Sequence, residues 1–168
     1  MGLSVIARMT DNQEWLTIAQ SRAESVMSAG YGLYTTTMGR ATLALVAVGK
    51  GDIAAADALY TELASVPGFM VFYVNTDRIL GLLAVTLERL DQAESHFEDA
   101  LAFNRKAGYR PDLAWTCHDY ADALLKRGKS GDHEKATSLL DESLAISQEL
   151  DMRPLMERVL SRREILKA

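Results

Sequence analysis

The sequence predicts an all-α fold built from helical pairs stacked along one chain. The first observation is a spacing. Asp77-x2-Leu80-Gly81-x2-Ala84 is followed by Ala93-x3-Phe97 and then Ala100-Leu101. The 34-residue helical-pair repeat carries W-x2-L-G-x2-Y and then A-x3-F at these places; here Asp replaces the Trp and Ala the Tyr. The second observation is recurrence. Leu43-Ala44, Ala47 and Ala56-x3-Tyr60 lie upstream, and Tyr120-Ala121, Leu124, Ala136, Leu140 and Ser143-Leu144 lie downstream. The third is composition: three prolines, many alanines and leucines, and no long run of alternating strand residues.

The spacing has a packing reason. Helix axes approach to roughly 8–10 Å, and the nearer limit needs small side chains at the contact. Gly81 on one helix and Ala93 on the next supply them, and Phe97 fills the space beside them. From Ala44 to Ala56 is 12 positions, as from Gly81 to Ala93, whereas Ala121 to Ala136 is 15. The three extra residues fall in Arg127-Gly128-Lys129-Ser130-Gly131-Asp132, a turn-type cluster that tolerates insertion. Successive first-helix small positions are 37 and 40 apart, which predicts helices longer than the standard repeat. Arg105 and Gln148 replace its usual proline, so the second helices extend to about Gly108 and Leu150.

The elements follow in order. Asp11-Asn12-Gln13-Glu14 reads as an N-cap with an acidic partner, opening an end helix over 11–29 with Trp15, Ile18, Ala19 and Val26 at helical spacing. No helix is expected before it. Tyr31-Gly32 makes the turn. The first pair occupies 33–66, turning at Gly49-Lys50-Gly51-Asp52 with Asp52 as N-cap, and Pro67-Gly68 ends it. The second pair occupies 69–108. Its opening, Phe69 to Val74, reads as a strand by composition. A helix is nevertheless predicted, because Phe69, Phe72, Tyr73, Thr76 and Leu80 also step by three and four and a lone strand has no partner. Asp91 with Glu94 reads as a second capping box. The third pair occupies 111–150, opened by Pro111, with Asp132 capping its second helix. Pro154 opens an end helix over 154–167 that covers the last pair. One domain over 1–168 is the expectation from length.

Charge and composition narrow the function. A net charge of −5 disfavours non-specific nucleic-acid binding. Single Cys117 cannot form an internal disulfide and fits a reducing compartment. Residues 1–8 lack an export signal's basic start and apolar run, and Ile6 stands where an acylation site needs Ser or Thr. The longest apolar run, Ile79 to Val85, is too short to span a bilayer. A cytoplasmic protein is expected.

The phrases Leu80-Gly81-Leu82-Leu83-Ala84, Gln92 to Leu101, Tyr120 to Leu125 and Arg153-Pro154-Leu155-Met156-Glu157-Arg158 carry a family likeness. The stretch from about Leu80 to Ala168 resembles the C-terminal tetratricopeptide-like repeat region of large bacterial regulators. Those join the repeats to a signal-transduction ATPase, often with a cyclase-like or DNA-binding domain. The resemblance implies a right-handed α-α superhelix and a protein-interaction or sensory role. The 168 residues contain no ATPase, cyclase or DNA-binding part, so the expectation is either a stand-alone relative or a piece of a longer protein.

Little chemistry is predicted. Gly128-Lys129-Ser130 imitates the end of a phosphate loop, but Ala123 stands at its first glycine and a helix precedes it. His118 and Asp122, four apart on one helix, lack a third metal ligand and read as hydrogen-bond partners. His96 and His133 read as solvated, Cys117 as a packed thiol. Arg158, Arg162, Arg163 and Lys167 form a basic helix face, and Glu88, Asp91, Glu94, Glu98 and Asp99 read as caps and exposed faces. No catalytic residue, metal or cofactor is expected. What remains is the concave groove that first helices line in such repeats. It takes Met38, Ala41 and Leu45, then Asn75, Arg78 and Leu82, then Trp115, His118 and Asp122. Arg78 and His118 hold equivalent positions suited to a carboxylate or an extended peptide. The reading is a non-enzymatic module binding a protein or peptide partner, with no nucleic acid and no membrane. The alternatives are homodimeric assembly, through Phe69–Tyr73 or an end helix, and a small-molecule sensor.

Overall fold

The computed structural model describes residues 2–10, 12–30, 32–71 and 73–167. Asp11, Tyr31 and Phe72, which the sequence places in a cap, a turn and a helix, lie outside the described residues. Among the described residues the fold is all-α apart from one short hairpin, and it divides into two compact units, 1–89 and 90–168.

The first unit contains α1 (Gly2–Thr10), α2 (Gln13–Ser28), α3 (Leu33–Lys50), α4 (Ile53–Leu63), β1 (Met70–Val71), β2 (Val74–Asn75) and α5 (Thr76–Thr86). The expectation of no helix before α2 is corrected. α1 packs on α2 and α3, with Ala7, Leu16, Ala19 and Val46 as one buried cluster flanked by Trp15. Asn12 caps α2, its Oδ1 accepting from the Trp15 N–H at 3.1 Å. α3 and α4 form the expected first pair, with Ala44 and Ala56 both fully buried. Between them Gly51 takes the left-handed conformation at φ 65°, letting its N–H reach the Ala47 and Val48 carbonyls. Asp52 caps α4 through Ala55 at 3.0 Å.

The predicted helix over 69–74 is corrected to a hairpin. The strand's missing partner comes from within the same stretch: Met70 pairs with Asn75 and Val71 with Val74, antiparallel. Side chains at the start of α5 hold it closed. Thr76 Oγ accepts from Phe69 N–H and donates to the Val66 carbonyl, both at 3.0 Å. Asp77 Oδ2 accepts from Gly68 N–H at 2.7 Å. Asn75 caps α5, accepting from Asp77 N–H at 2.7 Å. These groups bind backbone that a continuous helix would have consumed internally, so α5 starts at Thr76. Val71 and Val74 turn inward while Tyr73 is 82% exposed.

The second unit contains α6 (Leu90–Ala107), α7 (Arg110–Arg127), α8 (Asp132–Glu149) and α9 (Arg153–Lys167). α7 packs on α6 and α8, and α9 on α8. Ala93, Phe97, Ala121 and Ala136 are fully buried. The Phe97 ring stacks on Tyr120, centroids 5.4 Å apart and planes 19° off parallel. Pro111 stands in the first turn of α7, and Gly128 closes that helix at φ 68°. Two expected caps are corrected. Asp91 and Asp132 lie inside the first turns of α6 and α8, and their carboxylates face Arg127 and Lys129 instead.

Candidate functional site

Helices α5 and α7 carry an unusual load of polar groups away from water. Among the described residues the buried charged or titratable polar side chains are Asp77, Arg78, Asp112, His118, Asp119 and Asp132; all but Asp132 stand on α5 or α7. A buried charge is costly, and an apolar replacement of similar volume is often neutral or stabilising. These side chains therefore answer to something besides core stability, or else fasten a joint. Asp77 fastens the Gly68 turn. Asp112 accepts from Asn104 Nδ2 at 2.9 Å, and the same amide reaches Thr116 at 3.3 Å, tying α6 to α7.

The six residues expected at the groove fall as follows. In the first unit, Asn75 is fully buried as the cap of α5, Arg78 is 6% exposed and Leu82 7%. In the second, Trp115 and His118 are each 5% exposed, their rings edge to face with centroids 6.0 Å apart. The expected His118–Asp122 pair is corrected. His118 Nδ1 lies 3.4 Å from Asp119 Oδ1, whereas half-buried Asp122 receives the Arg162 guanidinium, at 2.7 Å from Nε and 3.0 Å from Nη2. Arg162 comes from α9, one residue before Arg163, which pairs with Asp141 at 3.0 Å. The basic end helix thus spends two of its charges on α7 and α8.

The carboxylates of α6 also do more than face solvent. Arg127 binds Asp132 through Nε at 2.9 Å and Nη2 at 2.7 Å, and its Nη1 meets Glu94 and, at 3.3 Å, Asp91. Hydrogen bonding from Arg127 holds the Asp132 carboxyl at about 2. Lys129 depresses Asp91 and Arg127 depresses Glu94. The Tyr120 hydroxyl donates to Glu98 at 2.8 Å and to Glu94 at 3.2 Å, and Lys135 Nζ sits 4.9 Å over the Tyr120 ring. Sequence spacing missed this network because its members come from four separate segments. Its geometry is that of a clamp on the second unit rather than a reaction centre.

Cys117 is fully buried, and burial pushes its thiol up, which removes the thiolate a nucleophile needs. His133 is exposed and His96 half-buried. Among the described residues no group of three or more His, Cys, Asp or Glu could hold a metal ion, and no helix is long and apolar enough to cross a membrane.

Residues 73–149 match the family model described as a tetratricopeptide repeat. The match runs from the hairpin to the last residue of α8, covering α5 through α8. Comparison with curated proteins and with solved structures gave no match to this chain. The chain therefore carries a tetratricopeptide-like region, a kind that generally mediates protein–protein interaction.

Proposed function

We propose that the chain is a non-enzymatic interaction module that takes an extended segment of a partner protein on its repeat helices. The observation that supports this is the concentration of buried charge on α5 and α7, the first helices of the repeats in the matched region. In the second unit the bait is Trp115, His118 and Asp122. An aromatic edge, an imidazole and a carboxylate whose counter-ion arrives from α9 suit a peptide with mixed charge. In the first unit it is Asn75, Arg78 and Leu82, where Arg78 suits a carboxylate. Their low exposure implies that small side-chain movements accompany capture. The resemblance of residues 80–168 to the repeats of bacterial regulators supports a cytoplasmic signalling setting for the partner.

Panning a library of displayed random peptides against the immobilised chain tests the reading. Enriched clones should bind less to Asp122→Asn and His118→Gln chains, or to an Arg78→Met chain, while urea midpoints stay near the parent's. Clones that bind every variant as they bind the parent refute it.

A further inference from the structure

A second surface, on the first unit, is built for self-association. Leu33 is 75% exposed, Tyr34 53%, Phe69 42% and Tyr73 82%. Leu33 and Tyr34 open α3. Tyr34 touches Phe69 edge to face at 6.3 Å, and Phe69 leads into the hairpin with Tyr73 at its tip. β1 packs toward α3, which keeps the two parts on one face. At about 200 Å² for a whole aromatic side chain and slightly less for leucine, those exposed fractions leave on the order of 500 Å² of largely apolar surface. A monomer's largest apolar patch is about 300–600 Å² and is often functional.

Charge selects the occupant. Leu33 and Tyr34 lie in the stretch 29–39 and Phe69 and Tyr73 in 63–76, and neither stretch contains Asp, Glu, Lys, Arg or His. Other exposed apolar residues sit among charges: Ile18 beside Glu14 and Arg22, Leu160 and Ile165 beside Glu157 and Glu164. Two copies of a chain with net charge −5 repel through most faces. These four side chains bring no charge to the contact, and of the charges that flank their stretches Arg40 pairs with Glu62 at 2.6 Å while Asp77 is buried on the Gly68 N–H. A two-fold contact also sets the same ring cluster against itself, which edge-to-face and offset ring packing accommodates. A standard interface buries about 800 Å² per partner, with an apolar core and Tyr, Phe and Met in excess. The patch, on the order of 500 Å², supplies the apolar core of such an interface and leaves about 300 Å² of polar rim to be added.

We propose that Leu33, Tyr34, Phe69 and Tyr73 form the centre of a homodimer interface, distinct from the residues assigned above to peptide capture. Sedimentation equilibrium of the full chain, over concentrations spanning the micromolar range, reads it directly. The parent should show a monomer–dimer equilibrium. Tyr73→Asp and Leu33→Asp, which place a carboxylate opposite its own copy, should each weaken it at least about tenfold. Both side chains are mostly in water, so the circular dichroism of the variants should match the parent's. A parent that stays monomeric throughout overturns the proposal, as does a dimer indifferent to both substitutions. Loss of helical signal in both variants also overturns it, because those side chains would then serve the monomer's own fold. Peptide capture is read on other residues, so either proposal can fail without the other.

Discussion

Arg127→Met should uncouple the ends of α6, α7 and α8, and the structure fixes how much each lost contact matters. The guanidinium is 9% exposed and its partner Asp132 6%, whereas Glu94 is 35% and Asp91 72% exposed. Exposed ion pairs are worth about 0–1 kcal/mol, so Asp91 and Glu94 contribute little. Asp132 is different. Without Arg127 it keeps its bond from the Lys129 N–H at 2.9 Å but loses the two guanidinium bonds that neutralise it. Removing one partner of a buried pair costs about 3–5 kcal/mol; with the Lys129 bond retained, about 3 kcal/mol is expected here. At a urea slope of about 1–2 kcal/mol/M for a unit this small, the midpoint falls by about 2 M. The assay is urea unfolding followed by far-ultraviolet circular dichroism. Arg127→Met with Asp132→Leu should recover about 1–2 kcal/mol, since no stranded carboxylate remains. High salt separates the contributions further: Lys129→Met should lose its effect at about 1 M, where the screening length is about 3 Å, and Arg127→Met should not. An Arg127→Met chain within about 0.5 kcal/mol of the parent, or an effect erased by salt, refutes the clamp.

Three further outcomes follow from the packing and titration. Phe97→Ala empties a fully buried site and removes the stack on Tyr120, costing about 3–5 kcal/mol by urea unfolding; Ala121→Leu overpacks its fully buried position by about 1–3 kcal/mol. Thr76→Val leaves the Phe69 N–H without its side-chain acceptor and costs about 1–3 kcal/mol; hydrogen exchange should accelerate at Phe69. Acid should weaken the second unit in a defined window. Asp132 has a folded-state value of about 2 against an ordinary 3.8, so below pH 4 the unfolded chain binds more protons than the folded one and stability falls with acid. Depressed Asp91, Glu94, Glu98 and Glu149 act in the same direction. The loss should begin near pH 5 and be complete only near pH 1, below the folded-state value of Asp132, and Arg127→Met should flatten the profile.

The helical pairs were legible because their determinants are local. Ala93, Phe97, Ala100 and Leu101 recur every one to four residues along α6, and a helix converts that spacing directly into one buried face. Asn12 and Asp52 likewise act three residues ahead on their own backbone. The errors share the opposite property. α1 is short; Ser4 and Ala7 are buried among its described side chains, and Ala7 packs against Leu16 and Val46 on other helices. The hairpin was hidden because Phe69 to Thr76 satisfies both a three-four and a two-residue step. The choice between them is made by Thr76 and Asp77 binding backwards to residues 66–69. That is a bond across seven to ten positions, which no periodicity records.

The site obeys the same division, with a consequence for how function is read. His118 and Asp122 are separated by one helical turn, so spacing made them partners. Three-dimensional packing reassigns both, His118 to its neighbour Asp119 and Asp122 to Arg162, forty residues further on. A partner peptide that engages Asp122 must therefore compete with Arg162 or use the pair as one dipolar surface. These alternatives differ in a measurable way. If the peptide displaces the guanidinium, Arg162→Met frees Asp122 and tightens binding, by up to about tenfold for 1.4 kcal/mol. If it reads the pair intact, the same substitution weakens binding. The sign of that one change says whether α9 guards the second unit's bait or forms part of it. An unchanged affinity removes Asp122 from the binding surface altogether.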